Sequence, residues 1–522
     1  MVAEAQTTPV YRAHPLPPPS TSPGGSVVSR AFAVNNRCDV VGEATGSLEG
    51  VTSLHGLLWV PVTRYGITGQ ATKDLNQLFT DVADKRRASK GLDVNMSGQV
   101  AGRQGADPTD LTDDGVIWQP GGTPQFVKLG GVTVIANAIN NAGVAVGQMT
   151  FTHPSCGAGF LDAFRATWDS SGNPTITQLL ASDDLEADAQ DINHIETART
   201  VGARIPIANP PNCFIIRTPC ESTQDGAEWT GTGSPVVMTP FEAAPLKTLD
   251  FALGSNEANQ SVGYSYTDLG EPPQGLGCQR RAIFRETATT GLFNLHTLED
   301  DPPSLQSDKE TIAEAINEPL ASGTACIQVV GTRFPEFLGQ LWQRDDEGEW
   351  TRTDLNDLVW TGCGATALYT VREAKDINDD GEIAVILDDP NIAGIAEIAG
   401  VLLSIADLTT DGQVDGADNG ILLLEWCGTA PCDPSNADFN CDGFVNGADL
   451  GILLLAWDQP VRPVCASGGG EGAGAMAGSG QNPGIEAVLS PMFQYFLAAM
   501  LAEGQVDAAN AIIIDMIEGG AS

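Results

Sequence analysis

The sequence predicts a mainly β fold, a propeller-like domain of seven repeats over residues 10–405, followed by a small all-α helical pair. Two observations carry this prediction. A short motif with a central Asn recurs seven times at spacings of 45 to 63 residues, and strand-like segments fill the intervals. Beyond the last repeat, an acidic loop that runs directly into leucines occurs twice within residues 406–460.

The Asn motif is typical of a tight β-hairpin. Two of its copies read "AVNNRCDVVG" at 33–42 and "AINNAGVAVG" at 138–147. Asn and Gly supply the side-chain hydrogen bonds and the positive φ of a tight turn, and a Val-rich strand leaves it. The seven central residues are Asn35, Asn95, Asn140, Asn193, Asn256, Asn317 and Asn378.

Two further pieces recur between the turns. The first is a strand that usually holds an aromatic residue, such as "HGLLWVP" at 55–61, and the second resembles "KDLNQL" at 73–78. A unit of about four strands cannot bury both faces of its sheet alone, so neighbouring units must stack, and radial stacking gives a propeller. The segment "VYRAHPLP" at 10–17 resembles the third piece and is expected to supply the strand that closes the last blade.

The repeat resembles a known family. The pattern A-x-N-x-x-G-x-x-V-G, followed by an aromatic strand and L-x-x-L, is similar to the HAF repeats of bacterial extracellular proteins, over about residues 10–405. The letters that name that repeat survive only in part, as His55-Gly56 or Ala163-Phe164, and the fourth and sixth copies carry insertions. The resemblance implies an extracellular repeat protein.

Oxygen-bearing residues occupy alternate positions of the two acidic loops, each with Gly at position 6 (Gly412 and Gly443). This is the pattern of an EF-hand calcium loop, because Ca²⁺ takes six to eight oxygen ligands and the glycine permits the sharp reversal. The sequence therefore predicts two calcium ions. The first set of ligands is Asp407, Thr409, Asp411, the Gln413 carbonyl, Asp415 and Asp418; the second is Asp438, Asn440, Asp442, the Phe444 carbonyl, Asn446 and Asp449.

Each loop runs into a helix of the same design, "NGILLLEW" and "LGILLLAW", with no convincing helix entering the first loop. The two units resemble the type I dockerin module, which implies an antiparallel helix pair and a cohesin-like or cell-surface partner. Loop positions 10 and 11 carry Gly416-Ala417 and Gly447-Ala448, where cohesin-binding dockerins commonly carry Ser-Thr or another distinctive pair. Two interpretations stay open: calcium folds this module, or it also mediates attachment.

The amino-acid composition limits which classes of binding partner and which cellular compartment suit the protein. With 67 Asp and Glu against 26 Lys and Arg, the surface disfavours nucleic acid and anionic membranes. No stretch reaches the roughly 20 apolar residues of a transmembrane helix. Eleven Cys without a CxxC pair indicate an oxidising, extracellular or cell-surface setting, although the N-terminus lacks the pattern of a secretion signal. Cys213/Cys220 and Cys427/Cys432 lie close enough in sequence to bridge short loops.

The ends of the chain are simpler. Residues 1–9 are an N-terminal tail, 461–484 form a Gly-rich linker, and 485–522 are expected to form two helices broken at Gly504.

No catalytic motif is found. The residues His14, His55, His153, His194 and His296 are interpreted as surface or turn residues, and the carboxylates of 183–191 as acidic surface rather than a glycosidase pair. The sequence favours a non-enzymatic extracellular protein whose repeats bind a ligand such as a glycan. The alternative is an extracellular polysaccharide-degrading enzyme, or an accessory component of one.

Overall fold

The structure is a computed structural model. It describes residues 10–22, 28–105, 113–119, 122–127, 132–152, 159–169, 173–179, 184–194, 199–206, 225–231, 235–238, 249–267, 279–289, 291–298, 310–317, 327–345, 347–360, 362–363, 369–389, 397–427, 436–441, 443–457, 459 and 461.

The chain folds into a seven-bladed β-propeller, in which each blade is a four-stranded antiparallel sheet. Blades 1 and 2 contain β2 Ser29–Val34, β3 Val40–Leu48, β4 Val51–Val60, β5 Ala71–Asp74, β6 Ser89–Val94, β7 Val100–Gln104, β8 Asp114–Trp118 and β9 Gln125–Val127. Blades 3 and 4 contain β10 Val134–Ile139, β11 Ala145–Thr152, β12 Gly159–Trp168, β13 Pro174–Gln178, β14 Asp184–Ile192, β15 Arg199–Pro206, β16 Asp225–Thr230 and β17 Val236–Val237. Blades 5 and 6 contain β18 Leu249–Ser255, β19 Ser261–Thr267, β20 Gln279–Arg285, β21 Leu292–Asn294, β22 Glu310–Ile316, β23 Ile327–Phe334, β24 Leu338–Arg344 and β25 Trp350–Asp354.

Blade 7 joins the two ends of the ring. Its strands are β26 Thr370–Ile377, β27 Ile383–Asp388, β28 Glu397–Ser404 and, from the N-terminal region, β1 Tyr11–Pro15. β1 pairs antiparallel with β28, with Tyr11 opposite Ser404 and Pro15 opposite Gly400. The prediction that residues 10–17 supply the missing strand is therefore confirmed. Since β28 covers 397–404, a strand and not a helix precedes the first acidic loop.

The Asn motif forms the turn between the first and second strands of each blade. In blade 2, Asn95 Oδ1 accepts hydrogen bonds from the backbone N–H groups of Ser97 and Gln99, both at 3.0 Å. Gly98 takes the positive φ of +73° that the turn requires. We refer to the seven equivalent features as the Asn turns.

A glycine recurs near the start of the second strand of the blades for a steric reason. Every first strand shows a register irregularity two to four residues before its Asn. In six blades a Cβ on the facing glycine would lie within 2.0 Å of the first strand's carbonyl oxygen. These glycines are Gly42, Gly102, Gly147, Gly202, Gly263 and Gly331.

The third strands carry the largest side chains of the core. One aromatic residue from each of blades 1 to 6 is at most 1% exposed, because it is covered by the neighbouring blade. These residues are Trp59, Trp118, Phe164, Trp229, Phe284 and Trp342. Clusters such as that of Trp59 with Ala384 and Leu403 cross from one blade to the next, so adjacent blades share one core.

Helices are few and short. Among the described residues, the α-helices are α1 Val82–Lys85, α2 Leu355–Leu358, α3 Gly416–Leu424 and α4 Gly447–Ala456, and the 3₁₀ turns are Leu75–Leu78 and Leu295–Leu298. α3 and α4 follow the two acidic loops and share a small core that contains Leu422, Leu450 and Leu453. Of the described helices, none is long and apolar enough to cross a membrane.

One disulfide joins the acidic loops to the propeller. It links Cys363, between α2 and β26, to Cys441 in the second loop. Cys427 is also disulfide-bonded, and among the described cysteines Cys38 is a free, buried thiol. Cys432, the Cys213/Cys220 pair, the linker beyond residue 461 and the predicted C-terminal helices lie outside the described residues.

Candidate functional site

The first strands of all seven blades surround an axial cavity of about 190 Å³. Its acidic lining residues are Asp93, Asp191, Glu314, Asp376 and Asp379. The other polar lining residues are His194, Ser255 and six with amide side chains: Asn35, Asn36, Asn137, Asn141, Gln190 and Asn378. This cavity is the natural place to search for a ligand-binding or catalytic group, since propeller channels gather side chains from every blade.

Three partly buried carboxylates in this cavity bind the backbone of the next blade. Asp93 accepts from the Ile139 N–H at 2.7 Å, Asp191 from the Ser255 N–H at 2.7 Å, and Asp376 from the Val34 N–H at 2.8 Å. Asp93 and Asp376 also accept from the N–H of the residue that follows them. Each carboxylate therefore holds two adjacent first strands together.

Burial raises the pKa of all three carboxyl groups, that of Asp93 to about 6 and that of Asp376 well above its ordinary value. Repulsion from Asp191 raises the pKa of Asp93 further, and both neighbours raise that of Asp376. Sequence reasoning missed these residues, although a signal was present: three of the seven Asn motifs carry Asp two residues before Asn.

Within the acidic segment 183–191, which was predicted to be acidic surface, Asp188 and Asp191 are partly buried and bonded to neighbouring blades. Asp188 accepts hydrogen bonds from Asn137 Nδ2 at 3.3 Å and from Gln190 Nε2. Burial raises the pKa of Asp188 to about 7. Asp188 and Asp191 connect blade 4 to blades 3 and 5, respectively.

Two histidines predicted at the surface are buried, which corrects that prediction. His55 has no exposed surface, and its Nδ1 lies 2.8 Å from Asp74 Oδ2. His296 is 3% exposed, and its Nδ1 lies 3.0 Å from Thr311 Oγ1. His194 is exposed in its Asn turn, as predicted, His14 lies in β1, and His153 lies outside the described residues.

The Asn turns also connect the blades around the mouth of the cavity. Five Asn side chains donate from Nδ2 to the backbone carbonyl of the Asn in another blade, at 2.9 to 3.4 Å. The links run from Asn35 to Asn95, Asn95 to Asn140, Asn140 to Asn193, Asn256 to Asn317 and Asn378 to Asn35. Asn35, Asn95 and Asn140 accept the backbone N–H two residues on, which is the Asx turn predicted from the sequence, and Asn35 and Asn378 also line the cavity.

The first acidic loop wraps around Asp407, which is 1% exposed. Asp407 Oδ2 accepts from the Gly412 N–H at 2.9 Å, and Gly412 has φ of +87°. Asp418 is fully buried, and its oxygens accept from the N–H groups of Leu408, Thr409 and Asp415 at 2.7 to 2.8 Å. Asp415 caps α3. Burial, then repulsion from Asp418 and Asp411, raises the pKa of Asp407 to about 7.

The second loop repeats this geometry. Asp438 Oδ2 accepts from the Gly443 N–H at 3.0 Å, and Gly443 again has φ of +87°. Asp449 accepts from the N–H groups of Phe439 and Asn446, and Asn446 caps α4. The other oxygen of Asp438, Oδ1, is buried and has no hydrogen-bond partner among the described residues. Asp442 lies outside them.

No family model matches this chain, and no curated protein matches it. Several solved structures are similar in fold. The polysaccharide lyase Uly1 is 11% identical with a TM-score of 0.32, covering 74% of this chain and 90% of its own. An ulvan lyase of a new polysaccharide lyase family is 10% identical (TM-score 0.34; 76% and 95% covered), and Penicillium chrysogenum alpha-L-arabinanase complexed with arabinobiose is 8% identical (TM-score 0.31; 76% and 98%). At these values no function passes to this chain.

The chemistry of the loops suits a hard cation better than a transition metal, because all the predicted ligands are oxygens. Within the described residues, no three His, Cys, Asp or Glu side chains converge as a metal-binding cluster. The unpaired Asp438 Oδ1 nevertheless marks a position where a buried charge lacks a partner, which is costly without a cation. The loops thus offer oxygen donors of the kind that calcium takes: Asp438 Oδ1 in the second loop, and Asp407 with Thr409 and Asp411 in the first.

Proposed function

We propose that this protein is a non-enzymatic extracellular β-propeller whose residues 406–460 form a dockerin-like module that binds two calcium ions. The observation that carries the proposal is the buried Asp438 Oδ1, which has no hydrogen-bond partner among the described residues. It occupies position 1 of a loop whose backbone repeats that of the first loop. A calcium ion at each loop would neutralise carboxylates that burial and mutual repulsion otherwise destabilise.

The engagement of the channel carboxylates supports a non-enzymatic role. Asp93, Asp191 and Asp376 all accept backbone N–H groups from an adjacent blade, so they are used to hold the ring together. A polysaccharide-degrading enzyme, the alternative function, needs one carboxyl group free to act as an acid and another free to act as a base or nucleophile. The polar axial cavity instead suits a bound ligand, for which a glycan is our proposal.

Apolar side chains on the two helices support an attachment role. Leu424 is 87% exposed and Leu455 is 58% exposed, and they hold equivalent positions, six residues after the last carboxylate of each loop. Exposed apolar side chains serve as interaction surfaces when they form a contiguous patch, and the two leucines are where we place such a patch. We propose a cohesin-like or cell-surface partner for them. The disulfides at Cys363–Cys441 and Cys427 favour an extracellular location.

Calorimetric titration of the full chain with Ca²⁺ tests the metal proposal. The wild type is expected to bind two ions, and the Asp411→Ala/Asp442→Ala variant neither with comparable affinity. Glu336→Ala, which removes an exposed carboxylate from the β23–β24 hairpin, is the matched control and should bind two ions. Equal titrations for the double variant and the control would refute calcium binding by these loops.

Attachment is tested separately, by a calcium-dependent pull-down from the extracellular fraction of the source. The wild type, Leu424→Asp/Leu455→Asp and Asp411→Ala/Asp442→Ala are compared. Loss of the same captured protein with both variants supports attachment through the helices. Equal capture by all three would leave calcium with a folding role only.

A further inference from the structure

The fourth residue of each acidic loop is anchored to the propeller. Thr410 and Cys441 hold this position, with φ of 57° and 60°, and neither is among the predicted calcium ligands. In the first loop, Gln70 of blade 1 donates from Nε2 to Thr410 Oγ1 at 2.8 Å and to the Thr409 carbonyl. In the second loop, Cys441 is covalently bound to Cys363, in the segment that enters blade 7. One loop is therefore fixed to blade 1 and the other to the entrance of blade 7.

These two anchors stand on opposite sides of the junction where the ring closes. β1 completes blade 7. Across the junction, blade 7 packs against β2 of blade 1. We call this boundary between blades 7 and 1 the seam. Other seam contacts include Arg30 with Glu397, and Asn378 Nδ2 with the Asn35 carbonyl at 2.9 Å. The ring is closed by the non-covalent pairing of β1 with β28, so blade 7 can separate from blade 1 without breaking the chain once β1 leaves β28.

The closing strand also contacts the loops directly. Arg12 of β1 donates from Nη2 to the Asn436 carbonyl, two residues before Asp438, at 2.8 Å. Its guanidinium lies 4.7 Å from the centre of the Trp360 ring. Asp407 and Asp418 of the first loop interact electrostatically with this guanidinium. β1 is thus held on one side by β28 and on another by the acidic loops.

The surroundings of the glycine at position 6 differ between the two loops. A Cβ on Gly412 would lie 2.8 Å from both Cys38 Cβ and Glu382 Oε1, so this residue is packed between the Asn turns of blades 1 and 7. A Cβ on Gly443 would meet nothing within 4 Å. The first loop is packed against the seam itself, while the second loop is tied by the disulfide to the segment that leads into blade 7.

We propose that the two acidic loops form a calcium-dependent clamp across the seam, so that calcium binding holds blade 1 to blade 7. This inference rests on the proposed calcium function and adds a role for it in this chain. A calcium ion in the first loop would fix Thr410 and Gly412, and with them the contacts to Gln70, Cys38 and Glu382. An ion in the second loop would fix Cys441, which is bound to Cys363. Asn-to-Asn hydrogen bonds are described at five of the seven blade boundaries, including the seam, whereas the clamp acts only at the seam.

Hydrogen–deuterium exchange of the full chain, in calcium and in EDTA, tests the clamp. With free calcium at ten times its measured Kd, an opening that releases one ion is suppressed about tenfold. We expect this slowing in β1, β2–β5 and β26–β28, and no change in blades 3 and 4. Calorimetric titration of the same sample reports whether calcium binds at all.

Two matched variants separate the clamp from general stabilisation. Gln70→Ala removes the hydrogen bonds to the first loop, whereas Gln77→Ala removes a glutamine that bonds within blade 1, to Lys73. Both should bind two calcium ions. Gln70→Ala should reduce the calcium-dependent slowing in blade 1 by about threefold or more, the effect of one surface hydrogen bond, and Gln77→Ala should not.

The outcomes are distinguishable. Seam-localised slowing that weakens in Gln70→Ala alone supports the clamp. Two bound ions without such slowing, equal slowing in all seven blades, or the same result for both variants overturns the clamp and leaves the calcium function standing. Absence of calcium binding in the wild type overturns the calcium function, and the clamp with it.

Discussion

The Asn turns and the acidic loops reverse the backbone with opposite side-chain chemistry. In an Asn turn, a neutral amide accepts N–H groups from its own turn through Oδ1 and donates through Nδ2, as Asn95 does to the Asn140 carbonyl. In the acidic loops, a carboxylate offers acceptors only, and Asp407 and Asp418 are buried beside each other. An amide can pair both its donors and its acceptor with other protein groups, whereas clustered carboxylates, which only accept, are stabilised by a cation.

The largest effect is expected when an Asn turn is given the chemistry of an acidic loop. Asn95 is fully buried, so Asn95→Asp replaces a paired donor with an unpaired buried charge. We expect a loss of about 3–5 kcal/mol in the free energy of unfolding at pH 8, because the buried charge is left uncompensated. Urea denaturation measures it. The control Asn141→Asp, at an exposed site that uses only its Oδ1 toward the Met96 N–H, should change stability by less than about 0.5 kcal/mol.

A second change compares the two acidic loops with each other. Gly412→Ala and Gly443→Ala both place a side chain at φ of +87°, which costs about 1–2 kcal/mol in each loop. Only Gly412→Ala also drives a methyl group into Cys38 and Glu382, which adds about 1–3 kcal/mol. Thermal unfolding in calcium should therefore show a clearly lower Tm for Gly412→Ala. Equal Tm values would mean that the first loop does not pack on the seam in solution.

pH tests a buried carboxylate that is held by amide donors. The pKa of Asp188 is raised to about 7 in the folded protein, above its unfolded value of about 4. The folded state binds the proton more tightly, so this contribution to stability is complete below about pH 4 and is lost as the pH rises to 7. Between pH 5 and 7 we expect a loss of about 2 kcal/mol that Asp188→Asn lacks. Urea denaturation of both proteins at fixed calcium measures the difference, and identical pH slopes would contradict it.

The smallest effect changes sign with calcium. Asp411 is half-buried and is repelled by Asp418 and Asp415. Asp411→Asn keeps an acceptor for the Gln413 N–H and removes that repulsion, so in EDTA it should stabilise the protein by about 0.5 kcal/mol. In calcium, the same variant should be less stable than the wild type, because a charged ligand is lost. Lower stability than the wild type in both conditions would speak against a cation in the first loop.

Much of the propeller followed from the sequence. Seven Asn motifs, the aromatic third strands and the closing segment 10–17 all occupy the places that local pattern gave them. The reason is that tight turns and buried strands depend on φ, side-chain size and alternation, which neighbouring residues set. The spacing of the oxygen ligands in the two loops is local in the same way, and it motivates the calcium proposal.

Contacts between distant parts of the chain were decided only by the tertiary structure. The convergence of Asp93, Asp191 and Asp376 on the axis, and the anchoring of Thr410 to Gln70 and of Cys441 to Cys363, join residues far apart in sequence. A single sequence records which residues are acidic or aromatic, but ring closure determines which of them meet. Residues 407–426 alone were enough to predict the acidic loop and the leucine-rich helix that follows it. That the loop lies against the first and last blades depends on a ring whose two ends had first to be brought together.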